Sequence, residues 1–562
     1  MPEWKFRERR PSEQNSDPSE EEFFRREDAV ASLVRESIQN SLDASAGEDA
    51  VRVRFFISGK GDALLPDETR KWLMGISAHL EATDVSIDQL GNEMPFISIE
   101  DFGTHGLRGS TAASRRSELP NDNEEEDFYY FWRNVGISGK GKSKRGSWGL
   151  GKAVYPSSSR IRSMFGWTCR SSSPTSVLMG QCVLKIHELE ADRGLSKQHD
   201  SYGFYGEYGR RKDDVEFPMP TEDSDVIGRF KRQFRLQRKS QAGLSLVIPF
   251  PSEEFPTGDE PACAERYALE VLHQYAYPIL ARQLIVDIET RAKTFHLDRE
   301  GLLALPDELT TWDGSKYDKD VTESFLLLAD WAVYEAMPIR LEREDGRSAR
   351  VEDLSFPGDT LNQAQQTYRA RKPIALEVPV LVRPKDEAQV LSYVKVFLMH
   401  DPEVKGNAVR FIRQGLTLTE QNGPSNAGVL GIVAIEDMPL AQLLRDSENP
   451  AHTKWLPRAE RLLKNYIGGA ARVKLVEALP RKLLKDLLGT EQERDTDLLA
   501  EFFPDPDPHA VPPGKGPGKK KGRRDEDEVH PPPSVPKSLV LSKVAGGFSI
   551  SHAPSVPLPS RR

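Results

Sequence analysis

The chain has 562 residues, which at roughly 100–200 residues per domain predicts about three domains, or two and a tail. Apolar residues make up 38% and charged residues 29%, so part of the length is expected outside a packed core, and the formal charge of −10 leaves nucleic-acid contact only to a local basic segment. Cys169, Cys182 and Cys263 form no CxxC pair, no run of apolar residues reaches membrane length, and the charged opening MPEWKFRERRPSEQ has no signal core. These features exclude a disulfide framework, a cysteine-rich zinc site and a membrane span, and they predict a protein of the reducing cytoplasm.

In chain order, an N-terminal arm over 1–24 carries Trp4, Phe6, Phe23 and Phe24, aromatics that need somewhere to pack. From there to about 255, helical patterns alternate with strand patterns such as VRVRFFIS, FISIED, SVLMGQCVLKI and LSLVIPF. PSEEFPTGDEP reads as a linker. An amphipathic helix over 264–281 follows, then the strand pairs PIALEVPVLVR with VLSYVKVFLMH and AVRFIRQGLTL with VLGIVAIED, and a helical region closing near 490. The predicted class is α+β in both halves. The Pro, Gly and charge-rich stretch over 491–562 reads as a disordered tail, with SLVLSKVAGGFSIS able to form at most a small hairpin.

Three segments suggest chemistry. On a helix over 33–44, Glu36, Asn40 and Asp43 fall within about 60° of one another, opposite Val30, Val34, Ile38 and Leu42. A glutamate there suits a general base toward water, and an asparagine one turn on suits Mg²⁺, although a merely solvated polar face has the same pattern. ISIEDFGTHGLRG places Asp101 at a strand end before Gly103, Gly106 and Gly109, which suits recognition of an adenine amino group or a plain tight turn. NVGISGKGKSKRGSWGLGKAVYP holds two overlapping patterns. Gly136–Ser143 matches a P-loop whose Lys142 and Ser143 would bind phosphate after a strand FYYFWRNV, with QLIVD (Asp287) and FLLLAD (Asp330) as partner strands. Gly146–Lys152 instead leads into a helix whose N-terminal amides would meet phosphate, with the preceding Lys/Gly stretch as a lid; this second pattern is preferred.

Together and in this order, these segments resemble the GHKL ATPase superfamily (gyrase, heat-shock chaperone, histidine kinase, MutL), and in two-domain layout they are similar to MutL, MORC and bacterial defence-associated ATP-binding proteins. The resemblance covers roughly residues 1–255. Glu36, Asn40, Asp43 and Ala44 match its N box; Asp101 and Gly103 approach its DxGxG box, with Gly106 one residue late; Gly146, Gly149 and Gly151 match its glycine box. Gly243 stands in its closing strand motif, but Leu244 replaces the usual threonine, so the hydroxyl contact to adenine would be lost or pass to Ser245.

The resemblance implies a Bergerat-type α/β sandwich binding ATP and Mg²⁺ over 25–255. Glu36 would be the base, Asn40 the metal ligand, and Asp43, Asp101, Gly103, Gly106 and Ser245 would line the nucleotide with Gly146, Gly149, Leu150, Gly151 and Lys152. A transducer-like domain over 256–490 would deliver Lys405, Arg410, Arg413 or Gln414 to the γ-phosphate. It further implies an ATP-gated homodimer clamp using the 1–24 arm, acting with a separate effector such as a nuclease in a DNA-related or anti-phage process. No nuclease signature and no metal-ligand cluster stand out among the 11 histidines. The rivals are a P-loop NTPase and a non-catalytic nucleotide-binding scaffold. In the tail, GKGPGKKKGRR reads as a solvated linker or a DNA tether.

Overall fold

A computed structural model of the chain describes residues 2–10, 12–13, 28–47, 49–85, 93–119, 126–134, 151–191, 195–210, 216–256, 258–312, 318–343, 350–405, 408–421, 423–424, 428–489, 539–544 and 547–552. Runs rich in β-branched and aromatic residues form the strands. Strands β1 (Glu3–Glu8), β2 (Val51–Ile57), β3 (Phe96–Phe102), β4 (Ser163–Cys169), β5 (Ser176–Val183), β6 (His187–Ala191), β7 (Leu195–Arg210), β8 (Glu216–Met219), β9 (Gly243–Pro249), β10 (Leu284–Glu289) and β11 (Thr294–Leu297) share one sheet. Its order is β1-β7-β5-β4-β9-β3-β2-β10-β11, with β6 and β8 also on β7.

Alternation along the strands sorts the two faces. One face (Val53, Phe55, Ile97, Ile99, Leu246, Ile248) packs on helix α1 (Ala29–Asp43). The other (Phe56, Phe96, Phe165, Trp167, Val247) packs on the helices α2 (Pro66–Trp72), α3 (Ser77–Glu81) and α6 (Ser224–Gln233). Between α3 and α6 in sequence lie α4 (Asp127–Arg133) and the one-turn α5 (Val154–Ser157).

Helix α7 (Glu260–Leu280) then lies on α1, followed by α8 (Arg299–Glu308) and α9 (Lys319–Tyr334). A six-stranded sheet follows in the order β12 (Ile339–Arg340), β15 (Ile374–Val382), β16 (Val390–His400), β19 (Val429–Ile435), β17 (Ala408–Arg413), β18 (Leu416–Thr417). A small pair, β13 (Glu342–Arg343) and β14 (Leu354–Ser355), stands apart from it. Helices α10 (Thr360–Arg369), α11 (Met438–Arg445), α12 (Glu460–Asn465) and α13 (Gly469–Leu488) complete its core. Residues 1–491 form one compact unit and 492–562 another, in which β20 (Leu539–Val544) and β21 (Gly547–His552) make an antiparallel hairpin. The basic run of the tail lies outside the described residues.

Several expectations need correcting. The boundary at 255 is crossed, because β10 pairs in parallel with β2 and carries 284–297 into the first sheet. FYYFWR is helix α4, with Phe128, Tyr129 and Trp132 buried along one side, and FLLLAD lies in α9, where Thr322, Phe325, Leu326 and Ala329 are buried at helical spacing. Short apolar runs carry no periodicity that separates the two states. The arm expected over 1–24 is in part a strand: β1 pairs with β7, Trp4 is 1% exposed, and its indole Nε1 donates to the Trp72 carbonyl at 2.8 Å. Phe6 stacks on His79 with ring centres 4.3 Å apart, whereas Phe23 and Phe24 lie outside the described residues. Accordingly, Trp4→Ala should cost about 3–5 kcal/mol of unfolding free energy. Denaturant melts would measure this; a cost below about 1 kcal/mol would mean that β1 does not stay in the sheet.

Candidate active site

Helix α1 begins at Asp28, whose carboxylate accepts from the Ala31 amide at 3.0 Å. Its polar side is covered rather than solvated: Ser32, Arg35, Glu36, Ser37, Gln39 and Ser41 are buried along with the apolar stripe. Much of the cover is α7. Its Tyr275 hydroxyl donates to the Arg35 carbonyl at 2.6 Å, and Gln274 Nε2 donates to the Ala31 carbonyl at 3.2 Å. Glu36 is 4% exposed, with Arg35 Nε 3.3 Å from its Oε1. On the other side sits Gly151, where an added Cβ would run into Glu36 Oε2 and stand 3.8 Å from Asn40 Nδ2. An alanine there would have to push the Glu36 carboxylate aside.

Asn40 Nδ2 donates to the Tyr155 hydroxyl at 3.2 Å, which turns the carbonyl end of the amide into its available ligand atom. Burial pushes the Tyr155 phenol well above its ordinary range, and the charges of Glu36 and Asp101 add to that, so it stays neutral. Tyr155 therefore lies within electrostatic reach of both α1 and the end of β3.

Asp101 is buried at that strand end. Its Oδ1 accepts from the Leu244 amide at 2.7 Å and from the Thr104 hydroxyl at 2.7 Å, with Arg238 Nη2 at 3.4 Å. Burial raises its carboxyl above the usual range, against the pull of Arg238 and these two donors. Gly106 has φ 67°, and a Cβ there would strike the Cys169 carbonyl, so the loop after Asp101 lies directly on the end of β4. Gly103, at φ 75°, begins the same turn.

Other predicted residues fall elsewhere. Ser245 pairs with Glu100 in the register of β3 and β9, one position from the Asp101 face. Its hydroxyl donates to Glu100 Oε1 at 3.0 Å and accepts from Arg238 Nε at 3.0 Å, so it serves a buried ion network, and the hydroxyl on Asp101 comes from Thr104. Lys152 Nζ bonds the carbonyls of Phe131 and Asn134, with that of Tyr130 at 3.4 Å, and so caps the end of α4. Gly146, Gly149 and Leu150 lie outside the described residues, as do Lys142 and Ser143.

Arg413 is also not poised to reach out. It is 1% exposed and grips Glu448 through Nε and, at 2.8 Å, through Nη2, while His452 Nδ1 lies 2.7 Å from the same carboxylate. Against its burial, these partners hold Glu448 below the usual carboxylate range. Gln414 follows at φ 46° in a turn whose Gly415 abuts Pro278 of α7. Arg410 lies over the Phe325 ring at 3.8 Å, and Lys405 is exposed in the turn after β16. Asp43 is half-buried near the charge of Arg445, so the end of α1 meets the second half of the unit.

The P-loop alternative loses its framework, since a helix replaces its leading strand and Asp330 sits in α9. Asp287 does end a strand pattern, but it pairs with Arg52 and with His296 at 2.6 Å. Sequence reasoning missed Tyr155, Thr104 and Arg238. Thr104, three residues after Asp101, was legible as a local hydroxyl donor; Arg238 carried no local signal.

Two substitutions probe this geometry. Gly151→Ala should displace Glu36 and, at a site that turns over nucleotide, lower the rate by about 10²-fold with little change in melting temperature. Arg413→Ala should instead cost about 3–5 kcal/mol of stability, because it leaves Glu448 buried and unpaired, whereas Lys405→Ala should leave the melt unchanged. Paired melts and phosphate-release rates distinguish these outcomes.

No protein-family model matches this chain, and no curated protein matches it. Among solved structures, the ATPase region of Saccharomyces cerevisiae topoisomerase II is similar, at 7% identity and a TM-score of 0.30, over 82% of this chain and 86% of that one. The same region bound to ICRF-187 (dexrazoxane) matches with the same values. A likeness this loose carries no conclusion about chemistry, which rests on the side chains described above.

Proposed function

We propose that the chain binds ATP with Mg²⁺ in a GHKL-type, Bergerat-like site and hydrolyses it as a conformational switch. The observation that carries this reading is the buried Glu36 and the half-buried Asn40 on one side of α1, both close to the backbone of Gly151, with Tyr155 within electrostatic reach of both α1 and Asp101. Glu36 and Asn40 bring a carboxylate and an amide side by side next to Gly151, the oxygen donors that suit a hard cation carrying phosphate. Asn40 would hold Mg²⁺ through its amide oxygen, and the ion would neutralise phosphate charge when bound. Asp101, with Oδ1 already taken by Leu244 and Thr104, would accept the adenine amino proton on Oδ2. Glu36 would take a proton from the water that attacks the γ-phosphorus as the bond to the ADP oxygen breaks, giving ADP and phosphate. Burial of Glu36 keeps bulk water from competing for that proton.

Closure into an ATP-dependent homodimer, and action through a separate effector in a DNA-related or defence process, belong to the same proposal. With Trp4 and Phe6 packed within their own chain, such closure would have to use other surfaces. Sedimentation with a non-hydrolysable ATP analogue should give twice the mass found with ADP; equal masses would remove the clamp. For the chemistry itself, Glu36→Ala should lower Mg²⁺-dependent phosphate release by about 10²–10⁴-fold while sparing binding of a fluorescent ATP analogue. Wild-type turnover in this variant would exclude Glu36 as base, and a wild type with binding but no turnover would favour the scaffold.

A further inference from the structure

Three of the 11 histidines, 79, 187 and 199, converge although nothing in their spacing announces it. His79 comes from α3, His187 opens β6, and His199 stands opposite His187 in β7. One ring nitrogen from each lies within 4.8 Å of the others, and His79 Nδ1 is 2.8 Å from His187 Nε2. His187 Nδ1 lies 2.8 Å from the Lys185 carbonyl, and His199 Nδ1 lies 3.0 Å from the Lys197 carbonyl. A carbonyl only accepts, so both rings carry their proton on Nδ1 and keep Nε2 as a lone-pair donor. Carbonyl support of this kind fixes the tautomer of metal-ligating histidines.

We infer that His79, His187 and His199 form a binding site for a divalent transition-metal ion of the Zn²⁺ class. Three neutral imidazoles without a carboxylate select Zn²⁺, Co²⁺, Ni²⁺ or Cu²⁺ over Mg²⁺ or Ca²⁺, and three protein ligands leave a coordination position for water. A single proton shared between His79 and His187 would satisfy that pair alone; a cation uses all three donors. His79 and His187 are both buried, which shields their donor atoms from bulk water. Phe6 stacks on His79 and meets His187 edge-on at 5.4 Å, walling one side with hydrocarbon, while half-buried His199 gives access. The ion would tie α3 to the β6–β7 pair, joining segments 108 residues apart in sequence and bracing β1 through Phe6. This site is independent of the nucleotide reading, since β5, β4 and β9 lie between β7 and β3 in the sheet.

Full-length protein stripped with a chelator and titrated with Co²⁺ at pH 7.5 provides the test. About one equivalent should bind, with the intense visible absorption of a four- or five-coordinate nitrogen site, and Zn²⁺ should displace it. His199→Ala, at the half-buried position, should abolish that absorption while retaining the far-ultraviolet circular dichroism of the wild type. A wild type without saturable Co²⁺ absorption overturns the proposal whatever the variants do, and so does a folded His199→Ala protein that keeps the full signal.

Discussion

A buried guanidinium organises the end of the first sheet. Arg238 is withdrawn from water beside β3 and β9, and its desolvation is tolerable only because acceptors surround it. Nη1 bonds the Gln241 and Ala242 carbonyls, Nη2 those of Asp101 and Leu244, and Nε the Ser245 hydroxyl. Behind it, Glu100 takes Arg54 at 3.0 Å, and Arg54 takes Glu289 of β10 at 2.6 Å. One chain of charges thus crosses β9, β3, β2 and β10. Its consequence at the candidate site is positional: Asp101 and the Leu244 amide are fixed at adjoining strand ends.

The same logic explains why 256–297 belongs to the first half of the unit. Helix α1 carries polar atoms on the side that a simple sandwich would leave to solvent, and α7 covers them with its own donors, Tyr275 and Gln274. The turn at Gln414–Gly415 rests on Pro278 of α7, so contacts run from β17 through α7 to α1. Packed side chains thus connect the second sheet to the helix that carries Glu36 and Asn40.

Much of the candidate site was legible because its parts are local. Glu36 and Asn40 share a face by helical spacing, and Asp101 ends a strand announced by alternation and glycine. What was not legible depends on partners distant in sequence. Arg413 looked like a free cation until Glu448 and His452 were seen to enclose it, and Ser245 looked like a ligand contact until the strand register turned it toward Glu100. Composition alone does not separate helix from strand in the aromatic α4 and the leucine-rich part of α9, and the strands that the P-loop alternative needs there are helices. The histidine cluster was invisible for the same reason, since two of its members lie on paired strands and the third on a remote short helix.

The central claim is that a nucleotide base sits at Asp101, in front of the Arg238-fixed strand ends. Photolabelling with 8-azido-ATP followed by peptide mapping tests it most directly. The account predicts that the label falls within 101–109 or 243–245 and is competed away by ATP. Label concentrated instead in the arginine-lined groove of Lys231, Arg232, Arg235 and Arg291 would contradict it.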